Sequence, residues 1–338
     1  MSRARTASIL RRPNRRAMEI AALAGFTPVA LDLSPPGGAI DWGDLGGVRF
    51  TEPFFDQTVE RWAGGAAARL VRTGIDALAA LDHAPSLDPA ALIFHMGRCG
   101  STLVSRLLGQ LPGVLAIAEP RPVNTLLLAD PAELDEEQAA ELLRLLVRAL
   151  GRRRFGDERH YVLKLSSWNI ARLSLFRRAF PKVPLIWLQR APLEAMASIE
   201  ADPPGWSTLQ QSPAEAERLF GIAPGEAMAP GTAGFHAQAL AGLLAAAAKA
   251  AAELLIVDYR ELPEALWTRI APAIGIAPEP GDIARLREAA RYHAKAPGRR
   301  LFTGDPTDRP PLPEALRSLT AERLEPLYRA LDAMRRRG

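Results

Sequence analysis

The sequence predicts an α/β fold in which a central parallel β-sheet is flanked by helices. Short apolar runs suited to buried strands recur along the chain, at 91–94 and again at 185–188. The first is followed by a short turn and then by apolar residues at helical spacing, namely Leu103, Leu107 and Leu108. Strands that alternate with helices form parallel sheets, because each helix carries the chain back across one face of the sheet.

The composition is that of an ordinary globular protein. The 338 residues are 48% hydrophobic and 24% charged, which allows one large domain or two smaller ones. The net charge is +4, and the sequence pI is near 9.5. A mild basic excess suits a small polyanion. No basic stripe interleaved with aromatic residues is present, so a nucleic-acid partner is not expected.

The sequence does not predict a secretory leader, a disulfide or a membrane span. Cys99 is the single cysteine, so no intramolecular disulfide forms, and it is interpreted as a small loop residue rather than a nucleophile. The basic start runs into Pro13 and more arginines instead of an apolar stretch, so no secretory leader is expected. The alanine-rich run 239–248 is far too short for a membrane span. We therefore expect a cytoplasmic protein without a membrane span.

Residues 1–88 are expected to form an N-terminal extension of unknown role, ahead of an α/β domain at 89–338. The first residues, to about 12, are expected to be disordered, and 15–23 to form a short helix. Aromatic residues are expected to attach the extension to the rest of the protein. They are Phe50, Phe54, Phe55 and Trp62.

The middle of this extension is predicted to be mostly loop. Residues 27–55 are rich in proline, glycine and aspartate, which predicts loops with one short strand at 48–50. Residues 58–81 then have helical periodicity, which predicts a helix that ends before Pro85.

The most informative stretch is the turn after the first strand of the predicted domain. It reads Gly97-Arg98-Cys99-Gly100-Ser101-Thr102. Backbone N–H groups of such a turn, with the positive end of a helix dipole, form a concavity suited to phosphate or sulfate. The lysine that precedes Ser or Thr in nucleoside-triphosphatase loops is absent. The alternative is an ordinary helix start, with Ser101 or Thr102 as N-cap and Arg98 solvated.

Two further strand candidates carry charged residues near their ends. The run 114–118 leads into Glu119, and 161–165 contains Lys164. Side chains at the carboxyl ends of strands in an α/β sheet lie where ligands usually bind, so Glu119 is a candidate general base and Lys164 a candidate cation. Alternatively, Glu119 is an N-cap or first-turn acid of the helix near Pro122. Lys164 is alternatively an ordinary charge on an edge strand.

The second informative stretch follows the strand at 185–188. Arg190 lies at the strand end, Pro192 opens a helix at the position that proline prefers, and Ser198 lies nearly two turns inside that helix. An arginine and a hydroxyl placed in this way bind one further phosphate through a charge-assisted and a neutral hydrogen bond. Alone the pattern is weak, because Arg-x-Pro is common where a strand passes into a helix.

Together the two stretches resemble the sulfotransferases. The turn at 97–102 resembles their 5′-phosphosulfate loop, Pro-(Lys/Arg)-Ser-Gly-(Thr/Ser)-(Thr/Ser), and 190–198 resembles their 3′-phosphate motif, Arg-Asn-Pro-x-Asp-x-x-x-Ser. The run 254–262 looks like the family's strand that ends in Tyr-Glu-x-Leu, and 299–305 is similar to its late Arg-Lys-Gly-x-x-Gly-Asp loop. The resemblance covers about 90–310 and implies the P-loop NTPase-like fold of that family.

The style of the motifs is closest to bacterial sulfotransferases and to the tyrosylprotein branch. The sequence departs from the family pattern at Gly97, Cys99, Ala191 and Glu194, where the phosphate-binding chemistry is kept. It also departs at Leu301, where the late loop of the family has glycine.

The resemblance implies 3′-phosphoadenosine-5′-phosphosulfate as the sulfuryl donor and no metal. It implies Arg98 as the group that stabilises charge on the departing oxygens, Glu119 as the base that takes the acceptor proton, and Lys164 as support for the leaving group. The residues implied in binding the donor are Arg98, Cys99, Gly100, Ser101 and Thr102 at the 5′-phosphosulfate, Arg190 and Ser198 at the 3′-phosphate, and Tyr259, Arg299 and Arg300 around the base and the 3′-phosphate.

The implied reaction is in-line transfer of the sulfuryl group to a hydroxyl or amine. The acceptor is a small molecule, a glycan or a peptide, and a homodimer is expected because sulfotransferases often dimerise. Two other classes stay open. A P-loop kinase-like phosphotransferase shares the fold, although it needs the absent lysine and a magnesium-binding acid. A non-catalytic module that binds the spent donor keeps Arg190 and Ser198 without catalysing transfer.

Overall fold

The computed structural model describes residues 23, 25–34, 37–129, 134–223, 231–295, 300–302 and 311–337. Nearly all of the segment expected to be disordered or helical at the N-terminus lies outside these residues, and so does Arg299.

The first sheet differs from what the sequence predicted. Residues expected to be loops form strands β1 (Thr27–Asp32) and β2 (Ala39–Gly43). Together with β3 (Leu70–Gly74), in a stretch expected to be helical, they make a three-stranded antiparallel sheet. The glycines of the Pro-Pro-Gly-Gly run adopt positive φ in the turn between β1 and β2, so these residues mark a hairpin rather than a long loop. In β2, Ile40 and Trp42 are fully buried and alternate with less buried neighbours, as a half-buried strand requires.

Two other predictions for this region are wrong. Residues 48–50 are not a strand. The helix expected over 58–81 is interrupted, because Gly64 and Gly65 follow the first helix and β3 pairs with β2 immediately afterwards. β-branched Val71 and Thr73 favour that pairing over helix.

The central sheet confirms the predicted α/β class. It has five strands in the order β5-β6-β4-β7-β8, and the registers of β5 with β6, β4 with β7 and β7 with β8 are parallel. Its strands are β4 (Pro89–His95), β5 (Val114–Ala118), β6 (His160–Lys164), β7 (Leu185–Gln189) and β8 (Leu254–Asp258). The strand order changes direction at the central strand β4, and open α/β sheets bind ligands beside such a point.

Helices follow most strands of the sheet. Those in the described residues are α1 (Phe55–Ala63), α2 (Asp76–Ala80), α3 (Ser101–Leu108), α4 (Arg121–Leu127), α5 (Glu136–Leu150), α6 (Leu173–Ala179), α7 (Pro192–Ala201), α8 (Pro213–Phe220), α9 (Gly231–Lys249), α10 (Ala271–Ala273), α11 (Pro280–Ala290), α12 (Glu314–Arg323) and α13 (Glu325–Arg335). Two 3₁₀ segments matter below, Gly205–Gln211 and Tyr259–Glu261. None of the described helices combines the length and apolar character needed to cross a membrane.

The chain groups into two compact units. One consists of Met1–Ala91, Leu108–Lys164 and Ser174–Val183, and the other of Leu92–Leu107, Leu165–Leu173 and Pro184–Gly338. In the first unit, β1 packs against α4 and α5, and Arg152 donates hydrogen bonds to the carbonyl oxygens of Leu23 (2.8 Å) and Phe26 (3.1 Å). In the second unit, α9 packs against α8, α12 and α13. A domain boundary near residue 88 stays a prediction.

Candidate functional site

The loop between β4 and α3 has the backbone of an anion cradle. Gly97, Arg98 and Gly100 all lie in the left-handed region, with φ of 89°, 52° and 79°. A Cβ at Gly100 would approach Leu262 Cδ1 within 2.8 Å and Tyr259 Cδ2 within 3.0 Å, so glycine is required there on two grounds. Left-handed residues in such a loop let backbone N–H groups face one side, where the positive end of α3 adds to them.

The alternative of a serine- or threonine-capped helix does not fit. The carbonyl of Gly100 accepts the first helical hydrogen bond, from the N–H of Val104 at 3.1 Å, so Gly100 is the N-cap. Ser101 and Thr102 are instead the first two residues of α3, and both are buried. Their hydroxyls therefore lie at the positive end of the helix, as an anion site requires.

Two neighbouring residues support this loop. The Nδ1 atom of His95 accepts a hydrogen bond from the N–H of Gly97 (3.0 Å), so Nε2 carries the proton that it donates to the carbonyl of Leu165 (2.9 Å). Cys99 is fully buried, with Sγ 3.2 Å from the carbonyl oxygen of Leu188. His95 therefore packs at the end of β4, and Cys99 occupies a buried position in the loop.

Arg98 reaches the helix of the second motif. Its Nε donates to the hydroxyl of Ser198 at 2.9 Å, and its Nη1 lies 2.8 Å from the carboxylate of Asp202. The side chain of Arg98 is 18% exposed, whereas that of Asp202 is 70% exposed. Arg98 is thus held by partners on α7 and at its end, and is not solvated as the alternative interpretation expected.

Arg190 completes the junction between the two motifs. It follows β7 directly, and its side chain is 6% exposed. Its Nη1 donates to the backbone carbonyl of Arg98 (3.3 Å), its Nε donates to Glu194 (2.9 Å), and its guanidinium lies 4.2 Å from the centre of the Tyr259 ring. Two stretches about 90 residues apart in sequence therefore meet, and Tyr259 lies against both Gly100 and Arg190.

Sequence reasoning noted Glu194 only as a departure from the 3′-phosphate motif and missed Asp202, and it identified neither carboxylate as a partner of an arginine. Glu194, Ser198 and Asp202 are spaced four residues apart, which places them on one face at successive turns of α7 and its end. That face meets Arg190 and Arg98. The helical spacing from Ser198 was a signal that could have identified Asp202.

Glu119 and Lys164 form an ion pair in the first compact unit. Lys164 Nζ bonds Glu119 Oε1, and the N–H of Glu119 donates to the carbonyl of Lys164 (2.7 Å). Lys164 is on β6, an interior strand, so its interpretation as an edge-strand charge is wrong. Pro120 is the N-cap of α4, so Glu119 precedes the helix and is neither its cap nor a first-turn residue.

The environment of this pair is unusual in two respects. The side chain of Lys164 is 1% exposed and that of Glu119 is 24% exposed, so the ammonium group is buried beside its carboxylate. Glu119 has φ of 54°, and Arg98 is the other non-glycine residue with positive φ among those that the structure describes. Strained backbone of this kind concentrates at functional sites.

The N-terminal extension contributes to the surroundings of Lys164. Phe54 places its ring centre 5.2 Å from Lys164 Nζ, and Phe50 stacks on Phe55 at 5.4 Å. Next along the chain, Asp56 accepts a hydrogen bond from Arg121 (3.3 Å). Burial raises the pKa of Asp56, and Arg121 opposes that rise. Phe54 and Asp56 therefore bring the extension against residues of the predicted domain, and the attachment expected of Phe55 and Trp62 stays a prediction.

The late arginine loop is described only in part. Arg299 lies outside the described residues. Arg300 is exposed, and its carbonyl accepts a hydrogen bond from the N–H of His293 (2.8 Å). Arg106 on α3 donates to the carbonyls of His293 (3.3 Å) and Ala294 (2.8 Å), which ties the segment before this loop to the helix of the anion cradle.

The donor set at the junction suits anions rather than metals. Arginine side chains, hydroxyls and backbone N–H groups are hydrogen-bond donors, and these make up most of it. Among the residues that the structure describes, no cluster of three His, Cys, Asp or Glu side chains could hold a metal ion.

No protein-family model and no curated protein matches this chain. Among solved structures it is similar to the sulfotransferase STF9 from Mycobacterium avium, with 15% identity, a TM-score of 0.43, and coverage of 72% of this chain and 77% of the other. It is also similar to the sulfotransferase domain of the Synechococcus PCC 7002 olefin synthase, with 14% identity, a TM-score of 0.40, and coverage of 74% and 95%. Likeness at this level establishes no function.

Proposed function

We propose that this chain is a sulfotransferase that moves the sulfuryl group of 3′-phosphoadenosine-5′-phosphosulfate to a hydroxyl or amine acceptor. The observation that carries the proposal is the meeting of Arg98, Arg190 and Ser198, which come from the two motifs that resemble the donor-binding motifs of the family.

Charge favours a ligand with two anionic groups. The side chains of Arg98 and Arg190 are largely buried, and their carboxylate partners are more than half exposed. Exposed ion pairs contribute little, because water competes for both charges. An anion that entered the junction would replace these weak pairs with charge-assisted hydrogen bonds to oxygens that arginine binds well.

The donor fits the chemistry of the residues present. Its 5′-phosphosulfate would bind the N–H groups of Cys99 and Gly100 and the hydroxyls of Ser101 and Thr102 at the start of α3. Its 3′-phosphate would bind a second set of groups, Arg190 and Ser198. The Tyr259 ring, which lies against Gly100, would border the base.

Transfer breaks one S–O bond and forms another. The acceptor oxygen attacks sulfur while the bond from sulfur to the 5′-phosphate oxygen breaks, and adenosine 3′,5′-bisphosphate leaves. Arg98 would stabilise the charge that builds on the departing oxygen, an interaction stronger in the transition state than in the ground state. To do so it must release Ser198 and Asp202.

Glu119 would take the proton of the acceptor hydroxyl. Its partner Lys164 supplies a buried positive charge that holds the carboxylate in place. The same ammonium group would support the leaving group as charge shifts towards it.

Ligand-induced stabilisation tests the donor site directly. Purified protein is heated with adenosine 3′,5′-bisphosphate, with 5′-AMP, or with ATP and magnesium. A ligand at a hundred times its Kd adds about 2.7 kcal/mol to the free energy of unfolding. We expect stabilisation by the bisphosphate, and its loss in Arg190→Ala.

The control is Arg178→Ala, which removes an exposed arginine that pairs with Glu136 and Glu137. This variant should respond to the bisphosphate like the original protein. Stabilisation by ATP and magnesium alone would instead identify a nucleoside-triphosphate enzyme, and no stabilisation at all would remove the proposed donor site.

A further inference from the structure

A hydrogen-bonded chain centred on the buried side chain of His236 joins three elements of the second compact unit. His236 on α9 places its Nε2 2.8 Å from the hydroxyl of Ser207 and its Nδ1 2.6 Å from the carboxylate of Glu200. Glu200 lies in α7, and Ser207 lies in the 3₁₀ segment Gly205–Gln211. The side chain of His236 is 1% exposed. One imidazole ring thus bridges three separate segments.

The ring is fixed by apolar neighbours as well as by its hydrogen bonds. Trp206 meets it edge-on at 5.5 Å with an interplanar angle of 88°, and Phe235 lies 6.3 Å away. In such surroundings a polar ring is stable only when its nitrogens are paired, and a well-paired network specifies one arrangement. The orientation of Glu200 is therefore set by His236.

Glu200 lies on the opposite side of α7 from the residues that meet the arginines. Successive helical residues are about 100° apart, so Glu200 is about 200° around the helix from Ser198. Ser198 bonds Arg98, as does Asp202 one turn later. Arginines therefore hold α7 on one side, and His236 holds it on the other.

We propose that His236 is a positioning residue that fixes the rotation of α7, so that the hydroxyl of Ser198 is presented to the 3′-phosphate of the donor. The inference rests on the proposed function, because it assigns His236 to the 3′-phosphate side of that site. Loss of the bond to Glu200 lets the end of α7 rotate away, and the 3′-phosphate loses part of its binding while the 5′ side keeps its own.

Two substitutions at 236 separate positioning from packing. His236→Phe keeps a ring among Trp206 and Phe235 but removes both hydrogen bonds. His236→Asn loses the ring but keeps an N–H near the place of Nδ1, within reach of Glu200. Glu200→Ala is a third variant, which removes the partly exposed partner of Nδ1 and keeps the ring of His236 and its bond to Ser207.

The readout is the ratio of two dissociation constants, that for 5′-AMP divided by that for adenosine 3′,5′-bisphosphate. The ratio isolates the contribution of the 3′-phosphate, so a general loss of stability does not change it. We expect the ratio to fall about tenfold in His236→Phe and in Glu200→Ala. We expect it to stay close to the original value in His236→Asn.

Leu240→Ala is the matched control, because it opens a cavity at a fully buried position of the same helix without touching the polar chain. It should lower Tm and leave the ratio unchanged. An unchanged ratio in both His236→Phe and Glu200→Ala would overturn the positioning role. If the original protein itself binds the bisphosphate no better than 5′-AMP, the proposed donor fails instead.

Discussion

Cations are held in two different ways in the two compact units. In the first, Arg144 and Arg148 on α5 share the carboxylate of Asp82, at 3.0 and 2.7 Å, and Lys164 meets Glu119. The two carboxylates are about one-quarter exposed, at 26% and 24%. These are compact ion pairs in which both partners are partly withdrawn from water.

At the arginine junction of the second unit, Arg98 and Arg190 are largely buried but their acids are not. Arg98 and Arg190 are 18% and 6% exposed, whereas Asp202 and Glu194 are 70% and 51% exposed. Water screens an exposed carboxylate, and such pairs contribute about 0–1 kcal/mol. Arg98 and Arg190 therefore differ from the Asp82 pairs mainly in the exposure of their counterions, and this difference is what an entering anion would use.

Glu119→Gln breaks the compact pair of the first unit at the proposed base. The amide oxygen still accepts from Lys164, so the fold and the donor affinity should be kept. It no longer takes a proton, and sulfuryl transfer should fall by about 10²–10⁴-fold. Single-turnover rates with saturating donor measure this. The control is Glu137→Gln, at an exposed carboxylate of α5, which should leave the transfer rate unchanged. If Glu119→Gln keeps its transfer rate, Glu119 is not the base.

Arg98→Ala removes a largely buried arginine whose counterion, Asp202, is exposed. We expect turnover to fall by about 10²–10³-fold, the usual cost of losing one preorganised donor to a developing charge. Stability should change little, because the counterion of Arg98 is exposed. The measurement pairs kcat with Tm for the same variant. A large fall in Tm with unchanged kcat would mean that Arg98 belongs with the structural arginines.

Asp82→Asn tests the compact arginine cluster. Burial alone would raise the pKa of Asp82, but hydrogen bonds from Arg144 and Arg148 outweigh it and hold the pKa below its usual range. The ionised carboxylate of Asp82 therefore adds to the free energy of unfolding at pH values above 3.8, its pKa in the unfolded chain. This contribution is lost as the pH falls through the lower pKa of the folded protein.

The substitution should lower the free energy of unfolding by about 1.5–3 kcal/mol near neutral pH. The difference from the original protein should shrink in acid, and urea titrations at both pH values measure it. Asp157→Asn, in an exposed pair with Arg49, is the matched control. A difference that is the same at both pH values would contradict the linkage.

Asp202→Asn should change ligand affinity only slightly, and it tests whether the exposed carboxylate competes with a ligand for Arg98. It removes the exposed counterion of Arg98 and should tighten binding of adenosine 3′,5′-bisphosphate about two- to fivefold. The gain should shrink at higher salt, which screens exposed charges. Calorimetric titration measures both, with Glu325→Gln on α13 as a control. Weaker binding in Asp202→Asn would show that this carboxylate supports the site.

Residues near strand ends were the predictable part of the site. Glu119 after β5, Lys164 in β6 and Arg190 after β7 were identified because a short apolar run predicts a buried strand and the residue after it falls at the ligand edge. The position of Pro192 at the start of α7 likewise followed from its fixed φ.

Tertiary pairings were not predictable in the same way. The sheet β1–β3 was missed because its turn residues dominate the composition, and its strands are stabilised by one another rather than by a local pattern. The bonds of Arg98 to Ser198 and of His236 to Glu200 join residues far apart in sequence. The sequence around a residue does not indicate which face of a distant helix will pack against it.

The left-handed backbone at Arg98 and Glu119 has a consequence for protein engineering. Each residue carries a conformational cost of about 1–2 kcal/mol that glycine would not have. A stabilisation campaign that ranks substitutions by folding energy alone would therefore favour glycine at these two positions. It would gain thermal tolerance and delete the side chains proposed to perform the chemistry, so both positions should be held fixed in any such design.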